Sequence, residues 1–365
     1  MRRVYNRTLD LEDLGWTTGF ADAFAPHAAL GLEPARVSLE HTHIYRVLTR
    51  DGERLARVSG RLRHAAARRT DFPAVGDWVA IEAPEGGGDA RIRALLPRVS
   101  RFSRRAAGNP TEEQVVAANI DVVFLVSGLD RDFNPRRIER YLVTAWESGA
   151  SPVIVLNKAD LVDNPEAIAA EVASLAAGVP VQTISVKESV GIDRLRAFLG
   201  RGRTGALLGS SGVGKSSIAN ALLGEARLRT HDVRESDSRG RHTTTGRQLL
   251  PLPGGGILID TPGMRELQLW DSGESVAGAF ADVEELGGGC RFRDCRHRGE
   301  PGCAVQAAVA AGLLPEARLE SFRKLQDEQT YQERQVDERA WLDNKRLGRI
   351  GAKALRQVLK DKDRR

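Results

Sequence analysis

LGSSGVGKSS, Leu208 to Ser217, meets the phosphate-loop pattern G-x-x-x-x-G-K-[ST] at each fixed position: Gly209, Gly214, Lys215 and Ser216. Such a loop works because consecutive backbone N–H groups line a concave anion nest at a helix N-terminus. Gly209, Gly212 and Gly214 let the chain curl without a Cβ in the way, and Ser210, Ser211, Val213 and Ser217 complete the cradle. Lys215 is expected to reach the β and γ phosphates, and the Ser216 hydroxyl to ligate Mg²⁺. An apolar run, ALLG, precedes the loop and a helical pattern, GKSSIANALL, opens from it and ends at Gly224. That strand–loop–helix context is the one the motif requires.

Two further motifs extend the site. DTPG, Asp260 to Gly263, follows the apolar run GILI. An Asp at a strand end beside a phosphate loop holds Mg²⁺, here through a water, and the Gly263 N–H can meet the γ-phosphate. VIVLNKAD supplies the base reader, Asn157, Lys158, Ala159 and Asp160. Guanine offers two donors, N1–H and the exocyclic amine, which one carboxylate accepts together; adenine leaves that carboxylate without a donor. A site built this way can reject the wrong base by roughly 10⁴-fold or more. Asp160 therefore selects guanine, with Asn157 supporting the loop and the Lys158 stem covering the ring. Ser185-Val186-Lys187 ends the next strand and stands where a third base contact, usually Ser-Ala-Lys, is expected.

The polar segment Arg229 to Gln248 has no apolar periodicity and reads as a switch ordered by the γ-phosphate. One of Thr243, Thr244 and Thr245 is placed to complete the Mg²⁺ shell, and Thr244 is taken as the ligand. The residue after Gly263 is Met264, which cannot orient a water. His242 is the local candidate for that task; a solvent-exposed loop histidine is the competing reading. Slow intrinsic hydrolysis, accelerated by a partner, is the expectation.

The motif order is base reader, third base contact, phosphate loop, switch, DxxG. This is a circular permutation of the usual GTPase order, and it leaves the sheet free to stay unchanged because domain termini commonly lie close together.

Around these motifs the chain separates into four regions. Residues 1–35 form an arm with Trp16, Phe20 and Phe24 at helical spacing. Residues 36–108 carry short alternating runs (RVSLE, HIYRVLT, RLARVSGRLR, DWVAIEA, ARIRALL) broken by turn signals, which predict a small all-β barrel or sandwich. Residues 109–280 alternate strand and helix patterns, DVVFLVS, then a helix capped by Asn134-Pro135 with Ile138, Tyr141, Leu142, Ala145 and Trp146 on one face, then PVIVL and onward. That alternation predicts an α/β domain with a parallel sheet covered on both faces. Residues 281–365 begin Gly/Cys/Arg-rich and end in helical patterns with a basic tail.

The three cysteines all lie in CRFRDCRHRGEPGC, spaced C-x₄-C-x-H-x₅-C. Cys290, Cys295, His297 and Cys303 make a Cys₃His set, which suits one tetrahedral structural Zn²⁺ with no open position for catalysis. Arg291, Arg293, Arg296, Arg298 and nearby Arg318 could offer charge to RNA phosphate. The net charge is +5, a modest pointer to a polyanionic partner. No apolar run approaches the ~18 residues that span a bilayer. MRRVYNRTLDLEDL has no apolar stretch behind its basic residues, so a cytoplasmic protein without a membrane partner is expected.

Taken together, VGDWV, RRAAGNPTEEQVVAANIDVVFLVSGLDRDFNPRRIERYL, LNKAD, GSSGVGKSS, GRHTTT, DTPG and the cysteine cluster resemble the circularly permuted ribosome small-subunit-dependent GTPase A (RsgA) family over nearly the whole chain. The resemblance implies an N-terminal OB-fold barrel, a permuted P-loop GTPase domain and a C-terminal zinc-binding helical domain. It implies Zn²⁺ and Mg²⁺ with GTP, and binding to the small (30S) subunit and 16S rRNA during late maturation; a monomer is expected. It also places His242 in the motif that carries the family's proposed catalytic histidine. OB-folds bind oligonucleotides; here Arg57 to Arg69 is basic enough to follow a backbone, with Tyr45, Phe72 and Trp78 as the aromatic choices.

Overall fold

Five short strands near the N-terminus close on themselves in the computed structural model. They are β1 (Glu33–His41), β2 (Ile44–Thr49), β3 (Gly52–Val58), β4 (Trp78–Glu82) and β5 (Ala90–Leu95). Strand β1 pairs antiparallel with β2 and β4, β2 with β3, and β4 with β5, while β3 and β5 run parallel and complete the circuit. Ala35, Val37, Tyr45, Val47, Ala56, Val79, Ile81, Ala90 and Ile92 fill the interior. The two-residue side-chain period of a strand puts alternate residues inside. The structure describes residues 10–41, 44–84, 88–106, 109–131, 133–176, 178–224, 247–260, 279–328, 330–331 and 334.

One of the sequence runs divides. RLARVSGRLR is strand only to Val58; Ser59 then caps a helix, α2 (Gly60–Ala65), its hydroxyl accepting from the Leu62 N–H at 3.3 Å. A serine that satisfies an orphan helix donor outcompetes further strand pairing. The aromatic arm forms helix α1 (Thr18–Ala28), and Trp16, Phe20 and Phe24 gather about Trp78 of β4, with the Trp16 and Trp78 rings 4.6 Å apart. Trp78 is fully buried and Tyr45 only 5% exposed. Neither ring is open to a nucleobase; both belong to the core.

The second sheet region is α/β. Strands β8 (Val122–Gly128), β9 (Ser151–Asn157), β10 (Val181–Thr183), β11 (Thr204–Gly209) and β13 (Ile257–Asp260) run parallel in the order β10-β9-β8-β11-β13. Helices α3 (Pro135–Ser148), α4 (Pro165–Leu175), α5 (Ile192–Arg196) and α6 (Lys215–Leu223) connect or follow them. The Asn134 and Asn164 side chains each accept a hydrogen bond from the first turn of α3 and α4, ahead of a proline at the first helical position, an arrangement that fixes both starts. Strand β12 (Gln248–Pro251) runs antiparallel on the β13 edge. Its far side meets barrel strand β1 at Leu39↔Gln248, so one eleven-stranded sheet runs from β10 into the barrel. A hairpin, β6 (Arg101–Ala106) and β7 (Asn109–Ala118), stands apart as its own two-stranded sheet.

The chain divides into two compact units: residues 1–105 with 112–268, and residues 106–111 with 269–365. In the second, helices Ala281–Gly287, Ala304–Ala310 and 316–328 bury Phe280, Val283, Val305, Leu314, Leu319 and Phe322. Arg318 is part of that core. It is 6% exposed, pairs with Asp282, donates to the Ala279 carbonyl at 2.8 Å and stacks 4.2 Å from the Phe280 ring centroid. It is therefore not open to a phosphate, whereas Arg291, Arg293, Arg296 and Arg298 are exposed.

Candidate nucleotide and metal sites

The carboxyl ends of β8, β9, β11 and β13 meet on one edge of the parallel sheet. From β8 the chain winds outward through β9 to β10, whereas β11 lies on its other side. The crevice between β8 and β11 is thus a topological switch point, where open α/β sheets bind ligands.

The phosphate loop leaves β11 there. Gly209 has φ +158°, near the extended limit, and a Cβ on it would lie 2.2 Å from the Val126 carbonyl of β8. Gly214 has φ +98°, and a Cβ would lie 2.2 Å from the Asn157 amide nitrogen. Close approach of neighbouring chain, not turn geometry alone, demands glycine at both positions. Val213 is buried in the sheet-side core and Ser216 is exposed at the start of α6. Gly214 precedes α6 without any side-chain cap, so its first N–H groups face outward for an anion. The Lys215 ammonium donates to the Gly209 and Ser210 carbonyls, which holds it along the loop.

Strand β9, which ends in the expected base reader, is tied directly to this loop. Asn157 is 3% exposed; its amide donates to the Val213 carbonyl at 2.8 Å and its Oδ1 accepts from the Val186 N–H at 3.4 Å. One buried side chain thereby links three motifs far apart in sequence. Lys158 adopts φ +65° and its ammonium meets the Asp130 carboxylate at 2.5 Å. Asp160 accepts from the Ser185 hydroxyl at 2.6 Å, with the Lys187 ammonium at 3.6 Å. The Ser185 hydrogen bond holds the Asp160 carboxyl below its ordinary value, with burial opposing and Lys187 assisting. It stays a carboxylate, the acceptor form guanine needs. Ala159 is fixed by its N–H to the Ile184 carbonyl at 3.1 Å. Burial pushes the Asp260 carboxyl, at the end of β13, upward, and the nearby Lys215 cation pulls it back. His242, Thr243, Thr244, Thr245 and Gly263 lie outside the described residues.

Sequence reasoning passed over two contributors. Asp130, just past β8, anchors Lys158, and Arg137 on α3 donates to the Ser210 hydroxyl at 2.7 Å. Both come from elements ahead of the base reader, in stretches without a nucleotide motif; only the switch-point position of β8 flags them.

In the second unit the ligand atoms of Cys290, Cys295, His297 and Cys303 all lie within 4.8 Å of one another. Cys290 Sγ is 3.9 Å from Cys303 Sγ and 3.5 Å from His297 Nδ1, which is 3.4 Å from Cys303 Sγ. A tetrahedron with ~2.3 Å metal–sulfur bonds has edges of about 3.8 Å, so these residues fit one four-coordinate ion. His297 is held in its φ +58° backbone by Gln306, whose amide donates to the His297 carbonyl at 2.7 Å. Cys303 accepts from the Gln306 N–H at the start of helix Ala304–Ala310. The cluster can hold one metal ion.

Comparison with known proteins agrees with this geometry. Residues 95–270 match the family model described as RsgA GTPase. The small ribosomal subunit biogenesis GTPase RsgA of Opitutus terrae is 51% identical over 338 residues, 90% of this chain and 92% of that protein. Its namesake from Streptomyces coelicolor is 46% identical over 352 residues, 94% of each chain. Among solved structures, YjeQ from Thermotoga maritima aligns with a TM-score of 0.61 at 28% identity, over 82% of this chain and 99% of that one. YloQ, described as a circularly permuted GTPase, aligns with a TM-score of 0.58 at 23% identity, a likeness of fold.

Proposed function

The chain belongs to the RsgA GTPase family, and on that premise we propose that it is a GTP-hydrolysing factor in the biogenesis of the small ribosomal subunit. In this reading it binds the 30S subunit through 16S rRNA late in maturation. The subunit stimulates hydrolysis, and hydrolysis is coupled to release. The observation that carries the nucleotide reading is the Asn157 side chain bonded to the phosphate loop through Val213 and to the Ser185-Val186-Lys187 turn. These bonds support reading the base-reading and phosphate-binding elements as parts of one site despite their reversed order.

Asn157 to Asp160 and Ser185 to Lys187 hold guanine, and Gly209 to Ser217 and Gly263 hold the phosphates. Ser216, Thr244 and, through a water, Asp260 would hold the Mg²⁺ that accompanies GTP. That ion would supply charge neutralisation at the phosphates, and the protein's own task would be to position the attacking water. His242 takes that task. A structural Zn²⁺ on Cys290, Cys295, His297 and Cys303 braces the C-terminal region. The barrel at 36–108 and the arginines around the cysteine cluster meet rRNA phosphate; the GTPase domain spans 109–280 and the zinc-binding helical domain 281–365. Among the described residues no helix is long and apolar enough to cross a membrane, and a cytoplasmic monomer completes the proposal.

Turnover of GTP by the purified chain, with and without small subunits, tests it, with ATP and large subunits as controls. Stimulation confined to GTP and small subunits is the expected result. Equal, slow turnover in all conditions would reject the coupling to the subunit.

A further inference from the structure

Ser210 occupies the first variable position of the phosphate loop, and three side chains converge on it. Arg137 donates to its hydroxyl at 2.7 Å, the Tyr141 hydroxyl lies 3.4 Å from the same oxygen, and the Lys215 ammonium donates to its carbonyl. Arg137 and Tyr141 are one helical turn apart on α3, so they share the face turned to the loop. Ile138 and Leu142 of the same helix are buried in the core, and Asn134 and Pro135 fix its start. The donor is thus carried on a rigid element rather than on a loop.

We propose that Arg137 is a positioning residue for the nucleotide: it clamps Ser210 through the hydroxyl, and so sets the carbonyl that aims Lys215 at the phosphates. The inference rests on reading Leu208 to Ser217 as the GTP phosphate loop. A charge-assisted bond to a hydroxyl is strong and directional. It acts on a residue between two glycines, Gly209 and Gly212, whose own backbone freedom would otherwise let this stretch of loop wander. Lys215 meets the terminal phosphates, so a misplaced ammonium costs the triphosphate more than the diphosphate. Specificity for the loaded state of the switch is therefore set partly from α3, an element without a nucleotide motif.

The test is a double-mutant cycle on the full chain, read by titration with fluorescent GTP and GDP analogues. Arg137→Ala is expected to weaken GTP binding by about ten-fold and GDP binding less. Ser210→Ala should give a similar loss. The double variant should be little worse than either single one, because both remove the same contact. Arg137→Lys, which can still donate one bond, should recover part of the loss. Losses that add, an unchanged GTP affinity in Arg137→Ala, or equal weakening of GTP and GDP with a lowered melting temperature would each overturn the proposal. No GTP binding by the wild-type chain would instead reject the nucleotide site itself, and this inference with it.

Discussion

Replacing Arg36 by methionine sets two large and opposite effects against each other. Arg36 lies on β1 and is 1% exposed. Its guanidinium donates to the Leu14 carbonyl of the arm, the Gly76 carbonyl before β4 at 3.2 Å, the Asn119 carbonyl before β8 at 3.0 Å and the Thr204 hydroxyl at the start of β11 at 2.9 Å. It also lies 5.7 Å from the Trp78 ring centroid. Burial pushes its pKa down to about 10, against the pull of Asp121 and Asp77. That leaves it protonated at neutral pH, at a penalty of roughly 3 kcal/mol. Methionine would regain the penalty and keep most of the packing over Trp78. It would also remove a hydrogen bond from each of four acceptors, of which the Gly76 carbonyl keeps the Asn119 amide at 3.1 Å. Bonds from a charged donor contribute at least ~1.5 kcal/mol each, so four outweigh the penalty by about 3 kcal/mol. Arg36→Met should therefore destabilise the first unit by about 3 kcal/mol, lowering its melting midpoint by roughly 6–12 °C. Arg36→Lys should do at least as much damage, since a single ammonium keeps the buried charge and cannot span four acceptors. Urea titration followed by tryptophan fluorescence reads the change, because Trp16 and Trp78 sit against the site. A methionine variant as stable as the wild type, or more so, would refute the reasoning and show that the burial penalty governs this junction.

Asp160→Asn should erode the preference for GTP over ATP, since an amide can offer guanine only one acceptor; unchanged discrimination in competition binding would remove Asp160 from base reading. Cys303→Ser should lower the bound zinc measured by elemental analysis and reduce protection of helix Ala304–Ala310 in hydrogen exchange; full zinc occupancy would exclude Cys303 as a ligand. Burial raises the Glu40 carboxyl above 4.5, while Arg247, 3.4 Å away, opposes it. The folded chain then holds this proton longer than the unfolded one, so Glu40 subtracts stability as pH rises through the window just above 4.5. The wild type minus Glu40→Gln stability difference should fall across that window and level off above it, and a flat difference would refute the assignment. His242→Ala should lower subunit-stimulated turnover and spare GTP affinity; normal stimulated turnover would take it out of the mechanism.

The parts of this protein legible in sequence are those set by local rules. Asn134-Pro135 and Asn164-Pro165 announce helix starts because capping acts within one turn, and Gly209, Gly214, Lys215 and Ser216 announce a phosphate nest because its chemistry fits into ten consecutive residues. Local rules mislead where two of them compete, as at Ser59, where capping ends a basic run that otherwise reads as strand. They are silent where a residue works across the fold. Arg36 reads as one of many arginines, and only the structure shows it joining arm, barrel, connecting segment and β11. Strand β12 is silent for a related reason: QLLP carries little periodicity, and its place comes from β13 on one side and β1 on the other. That placement has a mechanistic consequence. The polar segment assigned to the first switch returns to described structure at Arg247, which pairs with Glu40 of β1, and at Gln248, which pairs with Leu39. In the permuted order the same β12 is bonded to β13, the strand that ends in Asp260. A change of nucleotide state that moved the switch would therefore be resisted, or passed on, by backbone pairing into the barrel. Such a connection would need no relay of side chains, because Gln248, Asp260 and barrel strand β1 share one sheet.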